Sequence, residues 1–329
     1  MIWLRRGLSL FLLVVLIYFF WPLVGEFKAA AALFRQANWI WLIVAFLIQL
    51  VSYAFLTWLN AMALSPFPGK IGFLNLAAVL TSMAFIQVAI PSAGASGVAL
   101  RIRHLRRYGY APEDSLFSLA VETILEAVAL ASVASLGVIY LLRSGQLPMT
   151  DAAWLVLAGA ASAGIIWYAW RLLRNRERSR KIALVLVYRW NRVGGRLRTF
   201  DFNRVEARLL AFQDNLNRYG RGNLWKLILA AYGKVLLDVA TLGTGFLLVG
   251  FTISPGTLYT GYGLILTFSG LATLPGGIGM VDAYVPVIFS WLSVPGSVAL
   301  AAGLVYRLIA FWLLRFFGFL SWQYLENRK

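Results

Sequence analysis

Long uncharged runs decide what this chain can fold into. They cover residues 7–25, 37–69, 71–100, 115–142 (interrupted only by Glu122 and Glu126), 152–170, 227–281 (with Lys234 and Asp238 inside) and 283–306, continuing towards the C-terminus. A helix needs about 20 apolar residues to cross the hydrocarbon core of a bilayer, and most of these runs reach that length. Charged residues make up 13% of the chain, about half the fraction usual in a soluble domain. Lipid therefore replaces water as the solvent the fold must satisfy, and most soluble enzyme folds are excluded. Thirty Lys and Arg stand against thirteen Asp and Glu, a net charge of +17. In a membrane chain that excess marks cytoplasmic loops facing anionic lipid and not a nucleic-acid partner. There is no Cys and the one histidine is His104, so disulfides, thiolate metal sites and histidine-based nucleophilic triads find no residues to build them. Neither a metal nor a cofactor is expected.

The basic clusters set the topology. They lie at Arg5 and Arg6, at Arg101, Arg103, Arg106 and Arg107, across residues 171–208 with twelve basic residues, and at Arg328 and Lys329. All four belong on the cytoplasmic side, which puts both termini there. The first run, after Arg5 and Arg6, ends in Tyr18-Phe19-Phe20-Trp21-Pro22, too bulky for a signal-peptide cleavage site, and reads as an uncleaved span. Starting inside, the first two helices return the chain to the cytoplasm near Lys70, yet the Arg101 cluster lies on that side too. Residues 71–107 must therefore enter and leave on one face, a re-entrant hairpin broken at Pro91-Ser92-Ala93-Gly94-Ala95-Ser96-Gly97. By the same parity residues 257–294 form a second hairpin from the opposite face, broken at Pro275-Gly276-Gly277-Ile278-Gly279. Pro91 precedes Glu122, and Pro275 precedes Tyr306, by the same 31 residues. Opposed hairpins at matched spacing are the mark of an inverted repeat. The predicted fold is all-α and polytopic, one domain over residues 1–329 with about six transmembrane helices plus the two hairpins. The plainer alternative is that Pro91 and Pro275 kink ordinary spans. Residues 171–222 form a basic cytoplasmic loop, with an amphipathic interfacial helix over 203–219 whose stripe is Val205, Leu209, Phe212 and Leu216.

Charges inside spans are costly and mark pathways or pairs. Glu122 and Glu126 lie one turn apart on one helix face, and Lys234 and Asp238 are also spaced i, i+4 and can neutralise each other. Asp282 follows the second glycine break, and Tyr306-Arg307 falls inside the last span. Each break should place a half-helix N-terminus inside the membrane, where backbone N–H groups attract an anion and glycine lets it come close. Gly94, Ser96 and Gly97, with Pro275, Gly276, Gly277 and Gly279, are the candidates to hold a phosphate, and Arg307 adds a guanidinium. Glu122 and Glu126 can receive a cationic head group or a proton. The structural alternatives are that Lys234–Asp238 is an ion pair, Arg307 a clamp on hairpin carbonyls, Arg101 to Arg107 a topology anchor and His104 a solvated surface residue.

The segment from Pro91 to Arg107, then Val121-Glu122-Thr123-Ile124-Leu125, Leu274-Pro275-Gly276-Gly277-Ile278-Gly279-Met280-Val281-Asp282-Ala283 and Leu304-Val305-Tyr306-Arg307-Leu308 together resemble the transmembrane domain of lysylphosphatidylglycerol synthases, and the free-standing membrane proteins built on that domain. The resemblance covers essentially the whole chain. It departs at Val98, where an acidic residue is usual, at Thr123, where Arg is usual, and at Asp282, where Glu is usual. In full-length members this domain is the flippase for aminoacylated phosphatidylglycerol, and a separate soluble domain makes that lipid. The resemblance thus implies translocation without synthesis and no enzyme activity.

The expectation is a multi-pass protein of the cell inner membrane that flips an anionic or zwitterionic phospholipid or lipid-linked head group. Its partners are membrane phospholipids or a lipid-linked substrate; the sequence also admits a homo-oligomer. The rival readings are an integral-membrane enzyme and an accessory protein of a lipid or lipid-linked sugar pathway.

Overall fold

The computed structural model describes residues 23–90, 92, 94–145, 164, 175–194, 203, 206–207, 210, 213–214, 221–271 and 280–327. Among them every regular element is a helix. In chain order these are α1 (Leu23–Leu33), a short 3-10 turn (Phe34–Gln36), α2 (Ile40–Leu64), α3 (Phe73–Ala89), α4 (Ala95–Arg107), α5 (Pro112–Arg143), α6 (Arg176–Gly194), α7 (Arg221–Leu248), α8 (Pro255–Leu271), α9 (Met280–Trp291), α10 (Gly296–Tyr306), a π-helical segment (Arg307–Leu313) and α11 (Leu314–Asn327). Four stretches are long and apolar enough to cross a membrane: Ile40–Leu64, Pro112–Arg143, Asn223–Leu248 and Gly296–Asn327. Of two further spans expected at 7–25 and 152–170, only residues 23–25 and 164, all helical, are among the described residues.

Local chemistry explains the ends that matter. Ile90, ahead of Pro91, is driven into an extended conformation (φ −118°, ψ 110°) and ends α3. Gly94 takes a left-handed φ of 86° that lets the chain turn into α4. The first break is thus present where proline and glycine put it. The second, at residues 272–279, lies outside the described residues, flanked by α8 and α9. With 17 and 13 residues, α3 and α4 are roughly 25 and 20 Å long, each short of a hydrocarbon core of about 30 Å. Helix α5 opens with Pro112 at its first position, a residue whose missing N–H costs nothing there. The Asp114 carboxylate accepts the Ala111 backbone N–H at 2.9 Å.

The packing pairs the halves of the chain. Helices α2 and α7 lie along each other at the centre; α3 packs on α11 and α8 on α5; α4 packs on α5 and α9 on α10. With Gly296–Asn327 taken as one continuous helix, exchanging α2–α5 for α7–α11 matches each of these contacts with another of the set. Glycines sit at two matched crossings. A Cβ on Gly137 of α5 would lie 2.7 Å from the Thr260 backbone nitrogen of α8, and one on Gly318 of α11 would overlap the Thr81 carbonyl of α3 and come 2.8 Å from the Phe85 Cβ. Gly318→Val should therefore lower stability by about 1–3 kcal/mol, the usual cost of overpacking; a melting temperature in detergent equal to wild type would refute so close a crossing.

The core contains Leu59, Leu76, Leu105, Phe246, Tyr262 and Phe289, all nearly inaccessible, while Ile43, Leu47, Leu136, Ile139, Leu229 and Leu236 face outward. Large apolar side chains on both the inside and the outside are what a helix bundle in lipid presents. The basic segment is helical earlier than expected, at α6. There Ser179 Oγ accepts from Gln213 Nε2 at 2.7 Å and Arg180 pairs with Glu206 at 2.6 Å, so the segment folds back on itself. Residues 203, 206–207, 210 and 213–214 of the expected interfacial helix are helical; its apolar stripe lies outside the described residues.

Candidate functional site

The helical period divides the arginines of α4. Gly97, Leu100, Arg101, His104 and Leu105 recur at spacings of three and four and are buried, whereas Arg103, Arg106 and Arg107 fall on the outward side. Arg101 is therefore not part of a surface anchor. Its side chain is fully buried and its guanidinium reaches Glu122 Oε2 at 3.0 Å, Asn60 Oδ1 at 2.6 Å and Ser118 Oγ at 2.7 Å. A fork of donors matches three acceptors drawn from α2 and α5. The Asn60 amide is oriented by donating to the Leu56 carbonyl at 3.0 Å. His104, expected on the surface, is also buried, at 1% exposure. It lies in the last turn of α4, outside the four long helices. Burial, then the flanking Arg103 and Arg107 charges, push its pKa down to about 4, so it is neutral near pH 7.

One turn beyond Glu122, Glu126 Oε2 accepts from Lys234 Nζ at 3.0 Å, and the same ammonium lies 3.2 Å from Asp238 Oδ2. The expected i, i+4 pair of Lys234 and Asp238 is present, but it is part of a larger array. Asp238 Oδ1 accepts from Gln49 Nε2 at 3.0 Å and from Ser52 Oγ at 2.5 Å, and its Oδ2 accepts from Tyr262 OH at 3.3 Å. The Tyr262 ring meets Tyr306 edge to face at 6.1 Å. Charges thus run Arg101, Glu122, Glu126, Lys234, Asp238 through the middle of the bundle, three carboxylates to two cations, with neutral donors from α2 and α8 closing the far end. Glu126 Oε1 is buried and makes no hydrogen bond among the described residues.

A second centre lies in the π-helical segment, a departure from the α-helix often found at functional sites. The Arg307 guanidinium is 4.2 Å from the Phe311 ring centroid and that of Arg315 3.8 Å from it. Arg307 is buried. Arg315 also donates to the Phe311 carbonyl at 3.2 Å, and Tyr53 OH donates to the Ala310 carbonyl at 2.7 Å. Two cations on one aromatic ring gain from its negative face.

The first glycine break is arranged differently from a bare half-helix end. Ala95 N–H donates to the Ser92 carbonyl at 3.0 Å, Ser96 N–H to Ser92 Oγ at 2.9 Å and Val98 N–H to the Gly94 carbonyl at 3.2 Å. The last is the ordinary first bond of a helix; the amides of Ala95 and Ser96, which a bare helix end would leave open, are already satisfied by Ser92. Gly97 gives α4 close contact with α3, since a Cβ there would lie 2.9 Å from the Met83 carbonyl. Pro275, Gly276, Gly277 and Gly279 lie outside the described residues, as does the Asp282 side chain. Of the expected site residues, Glu122, Glu126, Lys234, Asp238 and Tyr306 converge, and Arg307 sits beside Phe311 one turn further along.

Sequence reasoning missed Asn60, Ser118, Gln49, Ser52 and Tyr262, and read Arg101 only as an anchor. A signal existed for some of them. Gln49, Ser52 and Asn60 share one face of an otherwise apolar span, and the 97, 100, 101, 104, 105 stripe turns Arg101 inward.

A family model described as the lysylphosphatidylglycerol synthase transmembrane region matches residues 7–318 of the chain. Comparison with curated proteins finds no match.

Proposed function

Because this chain belongs to the family of the lysylphosphatidylglycerol synthase transmembrane region, matched over residues 7–318, we propose that it moves an anionic or zwitterionic phospholipid, or a lipid-linked head group, between the leaflets of the cell inner membrane. Family membership supports a role in membrane lipid biology. The array from Arg101 to Asp238, buried at both ends and partly exposed at Glu122, Glu126 and Lys234, is the observation that carries the finer reading. Ionised groups in a bilayer persist where they pair or line a polar path, and this array draws its members from α4, α5 and α7 with donors from α2 and α8, α4 and α8 being one helix of each of the units α3–α4 and α8–α9. We read those units as re-entrant hairpins of an inverted repeat, with both termini cytoplasmic and the pseudo-symmetric halves rocking about the α2–α7 pair. In this scheme Arg307, with Arg315 across Phe311, faces the phosphate; Glu126 meets an amine, a sugar or a proton; Glu122 holds Arg101 in place.

The test is leaflet-resolved transport of a fluorescent phosphatidylglycerol analogue in proteoliposomes. Wild-type protein should transfer it faster than protein-free vesicles, and Arg307→Ala and Glu126→Gln should each slow transfer at least tenfold while eluting as folded protein. Variants that fold and transfer at the wild-type rate would remove both roles. Formation of a new lipid product by the purified chain would instead favour an integral-membrane enzyme of a lipid or lipid-linked sugar pathway.

A further inference from the structure

The outward face of α4 carries features that the array does not use. Two grooves of about 570 Å³ each open along it and meet at Ala99 and Ile102. One runs towards the glycine break between Met83 and Gln87 of α3, Val98 of α4 and Leu119 of α5. The other is walled by Arg103, Arg106 and Arg107 at the last turn of α4. We propose that the joined grooves form a docking site for one anionic phospholipid, its phosphate at Arg106 and Arg103 and an acyl chain along Ala99, Val98 and Leu119.

Both ends of the site match that occupant. The basic end carries three guanidiniums against the single carboxylate of Glu326, which pairs with Arg103, while His104 is neutral and buried. Arg107 donates to the Leu325 carbonyl at 3.1 Å. Arg106 is exposed and has no carboxylate partner among the described residues. The C-terminal end of a helix dipole already favours cations, so these side chains are held where a planar guanidinium can offer paired donors to a phosphate. The other end is mainly apolar, with Gln87 and Thr123 the polar residues in its lining, and reaches back along a helix of roughly 20 Å. A free phosphate would leave that apolar half unused, and a soluble acidic peptide would have to enter lipid to reach it. A phospholipid satisfies both halves from within the bilayer. The inference shares with the proposed function only the class of ligand: binding here stands or falls whether or not the chain translocates anything.

Native mass spectrometry of the full-length chain, titrated in detergent with phosphatidylglycerol and phosphatidylcholine of equal acyl composition, decides it. Arg106 and Ala99 are both exposed and outside the buried array, so their replacement should not disturb folding. The wild type should carry more phosphatidylglycerol than phosphatidylcholine adducts. Arg106→Glu should lower the phosphatidylglycerol adducts about tenfold, the loss expected of one charge-assisted contact, and leave phosphatidylcholine unchanged. Ala99→Trp, which fills the junction of the grooves, should lower both. Equal adducts of the two lipids on the wild type, or phosphatidylglycerol adducts unchanged in both variants, would overturn the site. Normal adducts with no leaflet transfer would instead count against the translocation reading alone.

Discussion

Arg101→Ala is expected to leave little folded protein. The substitution strands the Glu122 carboxylate and removes the guanidinium partner of Asn60 and Ser118, all against a side chain with no solvent exposure. Breaking a buried ion pair by removing one member costs about 3–5 kcal/mol, a large share of the roughly 5–15 kcal/mol that holds a typical domain together. The yield of monodisperse protein on size exclusion and its melting temperature in detergent measure the effect. Replacing both charges, as Arg101→Met with Glu122→Gln, should restore much of the loss, because removing a whole pair in favour of neutral groups of similar volume is far less costly than orphaning one charge. Arg103→Ala, at the half-exposed position two residues on, should cost no more than about 0.5 kcal/mol. An Arg101→Ala protein as stable as Arg103→Ala would show that the buried fork is not what joins α4 to α2 and α5.

Lys234→Met should be nearly as damaging. Its ammonium lies 3.0 Å from Glu126 and 3.2 Å from Asp238, so removing it leaves two carboxylates facing each other across the core without a cation. A loss at the lower end of the range of about 3–5 kcal/mol is expected, since Lys234 and Glu126 keep 17% and 25% of their side-chain exposure. The triple variant Lys234→Met, Glu126→Gln, Asp238→Asn removes the charges together and should recover much of the fold, since the new amide keeps one oxygen to accept from Gln49 and Ser52 and loses only the acceptor of the longer Tyr262 contact. Its behaviour separates two roles. If the array is only a clamp, the neutral variant moves lipid at the wild-type rate; if it lines the path, transfer drops to that of protein-free vesicles although the protein is intact. A Lys234→Met protein with unchanged stability would mean that the ammonium does not bridge the two carboxylates.

How far the sequence could be read differs between elements for physical reasons. Long apolar helices, the break at Ile90–Gly94 and the neighbouring positions of Glu122 and Glu126 all follow from rules acting within a few residues: hydrophobic length, the extended preference before proline, the positive φ of glycine and the 3.6-residue turn. The pairing of Lys234 with Asp238 was legible on the same ground. The amides of α4 were not. Ser92, a polar residue inside the break, folds back to accept the Ser96 N–H, so a half-helix end that reads as open to an anion has already used much of its capacity. Arg101 was misplaced because counting charges along the chain treats a cluster as one object, whereas a helix turns each member to a different side.

By itself the sequence determined that this chain is an all-helical membrane protein of its family, with its helix breaks at Pro91–Gly94 and its scarce charges on α4, α5, α7 and the last span. Only the tertiary structure decided which charges meet. Glu126 lies 108 residues from Lys234 and Gln49 lies 189 residues from Asp238, and no local rule spans such distances. The packing of α2 on α7 and of α5 on α7 brings them within hydrogen-bonding reach, and the cost of leaving an ion unpaired away from water then fixes their partners.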